Sequence, residues 1–440
     1  MRGMSASHGS RFFRRSVPLA AAMVAALALS AACSSSSGSA SSDAPSASSA
    51  AASSSSPMPA FHGAPIKLGM ITNAGTAVDF SDEIVTAEAA VRALNAKGGI
   101  DGHEVVFVWC NEALDPNRAL ACAREMVSDH VMAMVGNYVV TADQDVAEIL
   151  RSAGIANVAA NTLGPLGNDP NSYLLDGGQV YYNAAQAEAL KLIGAKNVAL
   201  LLLDAPTTLP YEGFYQRAFS LLGIKLVKTV LVPQVTGDLS PQAADVMSSS
   251  PDSLNTNASE PADYSIFQEM AQLGYKGTFV VSGDLLTEAE INGLGSLASQ
   301  LVFASPFPPV GASAQFPGLV QFQQDMAAEK AAGTTVPTFN QFNKSLALGS
   351  FLGVVAIGEI ANKYGATDSA EFKKAIGEAK DVPMMGLIPP WTPTKSLTSK
   401  VPSASNGGYY FYRDVNGKAV LINTKPIDVT NLVNAGLGAG

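Results

Sequence analysis

Residues 94–126 run LNAKGGIDGHEVVFVWCNEALDPNRALACAREM and contain the end of one helix, a strand and the start of a second helix. Gly98-Gly99 ends the first helix, because glycine readily adopts the left-handed conformation that closes helices. The apolar run Val105–Trp109 has the composition of a buried strand. Asp115-Pro116 then predicts an N-cap followed by proline at the first helical position. This succession is typical of proteins that alternate strands and helices.

The same alternation recurs along the chain. We predict strands at Lys67–Thr72, His103–Trp109, Val131–Val135, Ile155–Ala159, Val198–Leu203, Lys225–Val230 and Thr278–Val281. Ser81 is the predicted N-cap of the helix that follows the first strand. Short buried strands that alternate with helices indicate an α/β fold with doubly wound parallel sheets, in which ligands bind outside the carboxyl ends of the strands. Because the chain exceeds one usual hydrophobic core, we expect two lobes.

The first 32 residues are predicted to be a signal peptide. Four arginines precede an uncharged run, Val17–Leu29, that is shorter than the ~20 residues needed to span a bilayer. The run ends in Ser30-Ala31-Ala32-Cys33, which resembles a bacterial lipobox except that Ser30 stands where leucine is usual. We therefore predict lipid attachment at Cys33, with plain secretion as the alternative. The paired Arg14-Arg15 leaves the choice between the general and the twin-arginine export route open.

Residues 34–56 consist almost entirely of serine and alanine, a composition that predicts a flexible tether between a lipid and a folded body. If Cys33 carries the lipid, Cys110 and Cys122 remain as a pair in an oxidising compartment and are predicted to form a disulfide. Two separate buried thiols are the alternative. The expected location is the outer face of the cell membrane.

The net charge of −10 becomes more negative once the arginine-rich leader is removed. An acidic surface argues against nucleic acid or anionic lipid as a partner. The chain has four histidines, and it lacks the Gly-x-Ser-x-Gly, His-Glu-x-x-His and phosphate-loop motifs. We expect neither enzymatic activity nor a metal or other cofactor.

Five segments together resemble the leucine/isoleucine/valine-type solute-binding proteins. These segments are Asn95–Gly102, Asp115–Ala119, Val135-Gly136 with Ala153–Ile155, and Leu273–Lys276. The resemblance runs in order from about Ile66 to Gly377 and implies two doubly wound lobes joined by a three-crossing hinge, the type I periplasmic-binding-protein fold. It also implies a monomer that delivers a small polar ligand, an amino acid or a similar molecule, to an ABC permease. A ligand-sensing receptor without a transport role is the alternative.

The implied domain boundaries place the hinge crossings near Asp176, near Pro306 and between Pro383 and Pro402. The predicted divisions are 1–32 signal peptide, 33–64 tether, 65–177 lobe one, 178–305 lobe two, 306–385 the second part of lobe one, and 386–440 a hinge return with a lobe-two tail. Asn416-Gly417 in that tail predicts a β-hairpin. The aromatic run Tyr409–Tyr412 is predicted to be a covered strand rather than a stacking platform, and Trp391 is a candidate hinge residue.

The resemblance also implies where the ligand binds. In relatives, hydroxyls after the third and fourth strands hold a ligand carboxylate, whereas here Val140 and Leu163 occupy the equivalent positions. An aromatic covers the ligand and an acid pairs with its ammonium group. The candidate ligand-binding residues are Asn137, Tyr138, Thr141, Asn161, Thr162, Tyr211 and Asp284. The replaced hydroxyls put an α-amino acid ligand in doubt.

Overall fold

A computed structural model describes residues 59–76, 79–160, 165–205, 208–233, 237–283, 286–342 and 344–438. Residues 94–126 contribute one edge strand to the first sheet. The elements in chain order are β1 (Ile66–Thr72), α1 (Ser81–Ala96), β2 (Val105–Asn111), α2 (Pro116–Ser128), β3 (Ala133–Val135), α3 (Asp143–Ser152), β4 (Ala156–Val158) and β5 (Ser172–Tyr173). The strand order is β2-β1-β3-β4-β5, and each neighbouring pair is parallel.

The second sheet begins after the chain leaves β5. Its elements are α4 (Gln179–Leu192), β6 (Asn197–Leu203), α5 (Tyr211–Leu221), β7 (Lys225–Val232), α6 (Ser240–Ser248), β8 (Ser253–Asn257), α7 (Glu260–Gln272), β9 (Thr278–Ser282), α8 (Glu288–Gly293) and β10 (Leu301–Ser305). The strands β7, β6, β8, β9 and β10 lie side by side and run parallel. The predicted α/β class with parallel sheets is therefore confirmed.

The chain then returns to the first sheet before it completes the second. The remaining elements are α9 (Pro317–Ala331), α10 (Ser345–Tyr364), α11 (Ser369–Glu378), β11 (Gly408–Asp414), β12 (Ala419–Leu421), β13 (Ile427–Asp428) and α12 (Thr430–Gly436). Helices α9 and α10 pack on α1, and β11 pairs with β10 in antiparallel orientation. We call the first sheet with α1–α3 and α9–α11 lobe one, and the second sheet with its helices lobe two.

Helix α10 forms the centre of lobe one. It is long and apolar enough to cross a membrane, but 83% of its most apolar 18-residue window is buried inside the structure. Gly353 lets it approach β3 and β4 closely, since an added Cβ would lie 2.6 Å from Val135 and 2.8 Å from Ala159. Its apolar character therefore reflects burial in a protein core.

Several local predictions can be compared with the structure. The carboxylate of Asp115 caps α2 with Pro116 at N1, as predicted. The Asn416-Gly417 turn, with both residues at positive φ, joins β11 to β12, and Tyr409–Tyr412 are buried. The prediction that Ser81 caps α1 is wrong. Ser81 is the first helical residue, and the carboxylate of Asp79 accepts its N–H and hydroxyl.

Cys110 and Cys122 form a disulfide with Cα atoms 5.6 Å apart. Cys110 is the second-last residue of β2, and Cys122 lies in the second turn of α2. The alternative of two separate thiols is therefore wrong. The bond fixes α2 against an edge strand of the first sheet. Cys33 and the predicted signal peptide and tether lie outside the described residues.

Three passages connect the lobes, at 174–178, 306–316 and 379–407. Trp391 links two of these passages through hydrogen bonds. Its indole N–H lies 3.1 Å from the carbonyl oxygen of Leu174 and 2.7 Å from Oγ of Ser405, and the side chain is 2% exposed. Trp391 thus holds the first and third passages in a fixed relation.

Candidate functional site

The carboxyl ends of the parallel strands define the candidate site. A helix that follows a strand in a parallel sheet begins near the carboxyl end of that strand. The loops at this edge of each lobe therefore carry the residues that are placed to meet a ligand between the lobes.

A buried carboxylate organises this edge of lobe one. Glu112, just after β2, is completely buried and accepts hydrogen bonds from Asn73 Nδ2 and Val140 N, each at 2.7 Å. It also accepts from the hydroxyl of Thr141 at 2.9 Å. Asn73 follows β1, and the other two donors follow β3. One side chain therefore ties together the loops after three neighbouring strands.

The same loops hold the backbone in left-handed conformations that residues other than glycine rarely adopt. Ala113 and Leu114 after β2 have φ of 51° and 57°, and Ala142 and Ala159 after β3 and β4 both have φ of 53°. Each such residue costs about 1–2 kcal/mol. Asn111 and Asn73 offset part of this cost, because their side-chain oxygens accept the N–H groups of Ala113 and Leu114. Strained backbone of this kind concentrates at functional sites.

Two aromatic rings lie in contact at the carboxyl edge of the lobe-one sheet. Phe80, before α1, and Tyr138, after β3, have ring centroids 4.0 Å apart at an interplanar angle of 30°. Both side chains are half-buried. They provide an apolar surface beside the polar network of Glu112.

The facing edge of lobe two carries a wall of amides. Asn183 on α4 accepts hydrogen bonds through Oδ1 from Gln179 at 3.0 Å, Asn257 at 2.7 Å and the hydroxyl of Tyr215 at 3.0 Å. Gln186, one turn further along α4, donates to the carbonyl of Thr256 at 2.6 Å. Helix α4 therefore runs antiparallel to β8, with Gln179 nearest the cleft. We call Gln179, Asn183, Tyr215 and Asn257 the amide wall.

This wall contains no formal charge. Burial raises the pKa of the Tyr215 phenol far above its ordinary range, so the group stays protonated. Nδ2 of Asn183 is buried and has no acceptor among the described residues. Because Oδ1 faces three donors, the amide orientation is fixed and Nδ2 remains a donor. The wall is thus suited to neutral hydrogen-bonding groups.

Tyr211 begins α5 one turn before Tyr215 and is half-buried. Burial raises its pKa to about 12, so its hydroxyl is a hydrogen-bond donor throughout the physiological range. A helix that follows β6 begins near the cleft, which places Tyr211 at the outer end of the amide wall.

One cluster of charges joins the two lobes. Nζ of Lys344, before α10 in lobe one, lies 3.2 Å from Glu260 at the start of α7 in lobe two and 3.9 Å from Asp82 at the start of α1. Lys344 is 6% exposed. Burial alone would lower its pKa, but the charges of Glu260 and Asp82 raise it above the ordinary value. Burial raises the pKa of Glu260 to about 8, against the attraction of Lys344.

The candidate residues from the sequence take different positions. Asn137 is completely buried, and its Oδ1 accepts the N–H of Ile71 in β1 at 2.8 Å. Thr141 is held by Glu112, whereas Tyr138 and Tyr211 lie half-buried at the edges that face the cleft. Asn161, Thr162 and Asp284 lie outside the described residues. The ligand contacts of all seven remain predictions.

Sequence reasoning missed Glu112, the amide wall and the Lys344 cluster. The wall had a detectable signal, since Gln179, Asn183 and Gln186 are spaced by four and three residues and so share one helix face. The sequence predicts no strand in the Asn-rich stretch near Leu254, whereas β8 forms there. Nδ2 of Asn257, at the end of this strand, donates to Oδ1 of Asn183 in α4 and to the hydroxyl of Tyr215 in α5. The charge cluster combines distant segments and had no local signal.

Comparisons with known proteins agree with this architecture. A family model described as periplasmic binding protein matches residues 65–401. Leu/Ile/Val-binding protein homolog 7 of Brucella abortus is 23% identical over 305 residues, which cover 66% of this chain and 74% of that protein. The Leu/Ile/Val-binding protein of Escherichia coli K12 is 32% identical over 92 residues, which cover 21% of this chain and only 25% of that protein.

Solved structures share the fold at low sequence identity. A leucine binding protein from Thermotoga maritima has a TM-score of 0.66 and 18% identity, covering 82% of this chain and 99% of that one. A fatty acid ABC transporter substrate-binding protein from Thermomonospora curvata has a TM-score of 0.68 and 14% identity, covering 86% and 97%. An R. palustris solute binding protein in complex with 4-hydroxybenzoate has a TM-score of 0.67 and 19% identity, covering 83% and 97%. The relatives named here are binding proteins rather than enzymes.

Proposed function

Because the chain belongs to the periplasmic binding protein family, we propose that it captures a small polar solute between its lobes and delivers it to an ABC importer. The observation that carries this proposal is the pairing of two polar surfaces at the carboxyl edges of the two sheets. Glu112 holds the loops of lobe one in place, and in lobe two the buried Asn183 holds Gln179, which is half-buried at the cleft end of α4. Hinged closure over a ligand shifts the population between open and closed forms.

The chemistry of the walls constrains the solute. Gln179, at the cleft end of the amide wall, offers an uncharged amide, and the Phe80–Tyr138 pair offers a flat apolar surface. A ligand with an oxygen-bearing polar end and a compact apolar part fits both surfaces. Amino acids and similar molecules belong to this class, and Asp284 stays a proposed partner for a ligand ammonium group.

The family implies an extracytoplasmic location. We propose that Cys33 carries the lipid that holds the mature chain at the outer face of the membrane, with residues 34–56 as a tether. Labelling of the protein with a radioactive fatty acid in cells should be abolished by Cys33→Ser. Labelling that survives this substitution would contradict the anchor without affecting the binding function.

A thermal-shift screen tests the capture role. The whole chain is melted with amino acids, small amides, carboxylates and purines, and a ligand at 100 times its Kd adds ~2.7 kcal/mol of stability. The shift should be smaller in Asn257→Leu, which disrupts the amide wall. The control Lys276→Ala should respond as wild type, because this exposed residue precedes β9 at the opposite edge of the sheet.

A shift that Asn257→Leu leaves unchanged would place the ligand away from this wall. The transport role needs a second measurement in cells. Deleting the gene should abolish uptake of the solute that the screen identifies. Normal uptake in the deletion strain would contradict a role in import.

A further inference from the structure

The segment between α9 and α10 belongs to lobe one by its flanking helices, yet it lies against lobe two. We call residues 340–342 together with 344–345 the strap. The strap is separate in sequence from the three passages that connect the lobes. Its contacts involve three different parts of lobe two.

The first contact is made by a carboxylate. Oε2 of Glu288, in the first turn of α8, accepts the backbone N–H groups of Asn340, Gln341 and Phe342 at 2.7, 2.8 and 3.1 Å. Glu288 is 8% exposed. Hydrogen bonds to a charged acceptor are roughly twice as strong as neutral ones. Three consecutive N–H groups on one oxygen fix the backbone of the strap in position.

The second contact is apolar. The ring of Phe342 is 1% exposed and lies in the core of lobe two, although its chain neighbours lead to lobe-one helices. Its centroid is 5.6 Å from that of Phe303 in β10 and 6.4 Å from that of Tyr412 in β11. Withdrawing the ring would expose it to water and leave a cavity beside these two strands.

The third group of contacts lies where the strap enters α10. The backbone N–H of Ser345 donates to the carbonyl of Gly283, after β9, at 3.1 Å. The hydroxyls of Ser345 and Ser305 are 2.9 Å apart, and both are buried. Nζ of Lys344 adds a hydrogen bond of 3.2 Å to the carboxyl group of Glu260. Backbone, hydroxyl and charge contacts therefore hold the start of α10 to lobe two.

We propose that the strap is a fourth, non-covalent hinge connection and that the lobes pivot beside it. Helix α10 is the central helix of lobe one and begins at Ser345, so the strap attaches that helix directly to lobe two. Rotation about a distant axis would pull Phe342 from its core and separate Glu288 from three donors. Rotation about an axis close to Ser345 and Gly283 leaves these contacts intact.

Two measurements on the full chain test this proposal. The first is hydrogen exchange of the amides of residues 340–342. In Glu288→Gln, which keeps the size of the side chain and removes its charge, exchange there should be about tenfold faster, as the loss of charge-assisted bonds implies. Exchange at the wild-type rate would show that the carboxylate does not hold the strap.

The second measurement is the interlobe distance by pulsed electron resonance. Spin labels are placed at the exposed positions Ser128→Cys on α2 and Ser248→Cys on α6, with Cys33→Ser to prevent a third label. Both Glu288→Gln and Phe342→Ala should broaden the distance distribution. Phe372→Ala, a truncation of an equally buried ring in α11 of lobe one, should not.

The outcomes separate the strap from ordinary core packing. Broadening in the strap variants alone supports the fourth connection. Equal broadening in Phe372→Ala, or an unchanged distribution in Glu288→Gln, would overturn it. If Phe342→Ala fails to fold, Glu288→Gln decides the question. The test requires no ligand, so its result is independent of the proposed solute.

Discussion

Replacing Glu112 with alanine should destabilise lobe one strongly. The carboxylate is completely buried and accepts from Asn73 and Val140 at 2.7 Å and from the hydroxyl of Thr141 at 2.9 Å. Its removal leaves the buried amide of Asn73 and the N–H of Val140 without an acceptor. Each unsatisfied donor costs about 1–3 kcal/mol, so we expect a total loss of about 2–6 kcal/mol.

Urea unfolding, followed by circular dichroism, measures this loss as a lower midpoint at unchanged slope. Glu112→Gln should lose about half as much, because the amide retains one acceptor oxygen. The matched control is Glu148→Ala, since Glu148 is an exposed glutamate of α3 and surface substitutions usually change stability by about 0.5 kcal/mol or less. A Glu112→Ala protein as stable as this control would refute the role assigned to the carboxylate.

Three further predictions concern other parts of the structure. Asn183→Ala should cost about 2–4 kcal/mol in the same urea assay, because Gln179 and Asn257 lose their shared acceptor, whereas the hydroxyl of Tyr215 keeps Oε1 of Gln186 at 2.6 Å; a neutral result would contradict the network. Since burial raises the pKa of Glu260 to about 8, its contribution to stability is greatest below its ordinary pKa and is lost as the pH rises through 8. Unfolding free energy should therefore decline between pH 5 and 8 by up to about 1.4 kcal/mol per unit, and Glu260→Gln should flatten this decline, whereas equal slopes would exclude this assignment. Replacing both Cys110 and Cys122 by serine should cost about 3 kcal/mol and lower the melting temperature under oxidising conditions only, relative to wild type; an unchanged melting temperature would mean that the bond does not stabilise the fold.

The fold follows from local patterns that the sequence shows directly. Strand and helix alternate with the expected periodicities, and the Asp115-Pro116 cap and the Asn416-Gly417 turn lie where their chemistry predicts them. Where the prediction fails, tertiary contacts override local preference. Strand β8 forms despite its asparagines, because it pairs with β6 and β9 and because the amide of Asn257 has partners on α4 and α5.

The site was less predictable because its parts come from distant segments. Glu112 joins loops that follow three strands, and Lys344 meets Glu260 across 84 residues of sequence. Ala113 and Leu114 adopt left-handed conformations, which a sequence predicts only where glycine or asparagine stands. Periodicity predicts where the edge of a sheet lies. Only the packed structure shows which side chains at that edge are hydrogen-bonded to one another.

Hydrogen exchange with and without the solute from the thermal-shift screen tests capture between the lobes most directly. Binding between the lobes should protect backbone amides at the carboxyl edges of both sheets together. These amides lie in the loops around Asn73 and Val140 and at the starts of α4, α5 and α7. Protection confined to one lobe, or found only at the opposite edges of the sheets, would contradict binding between the lobes.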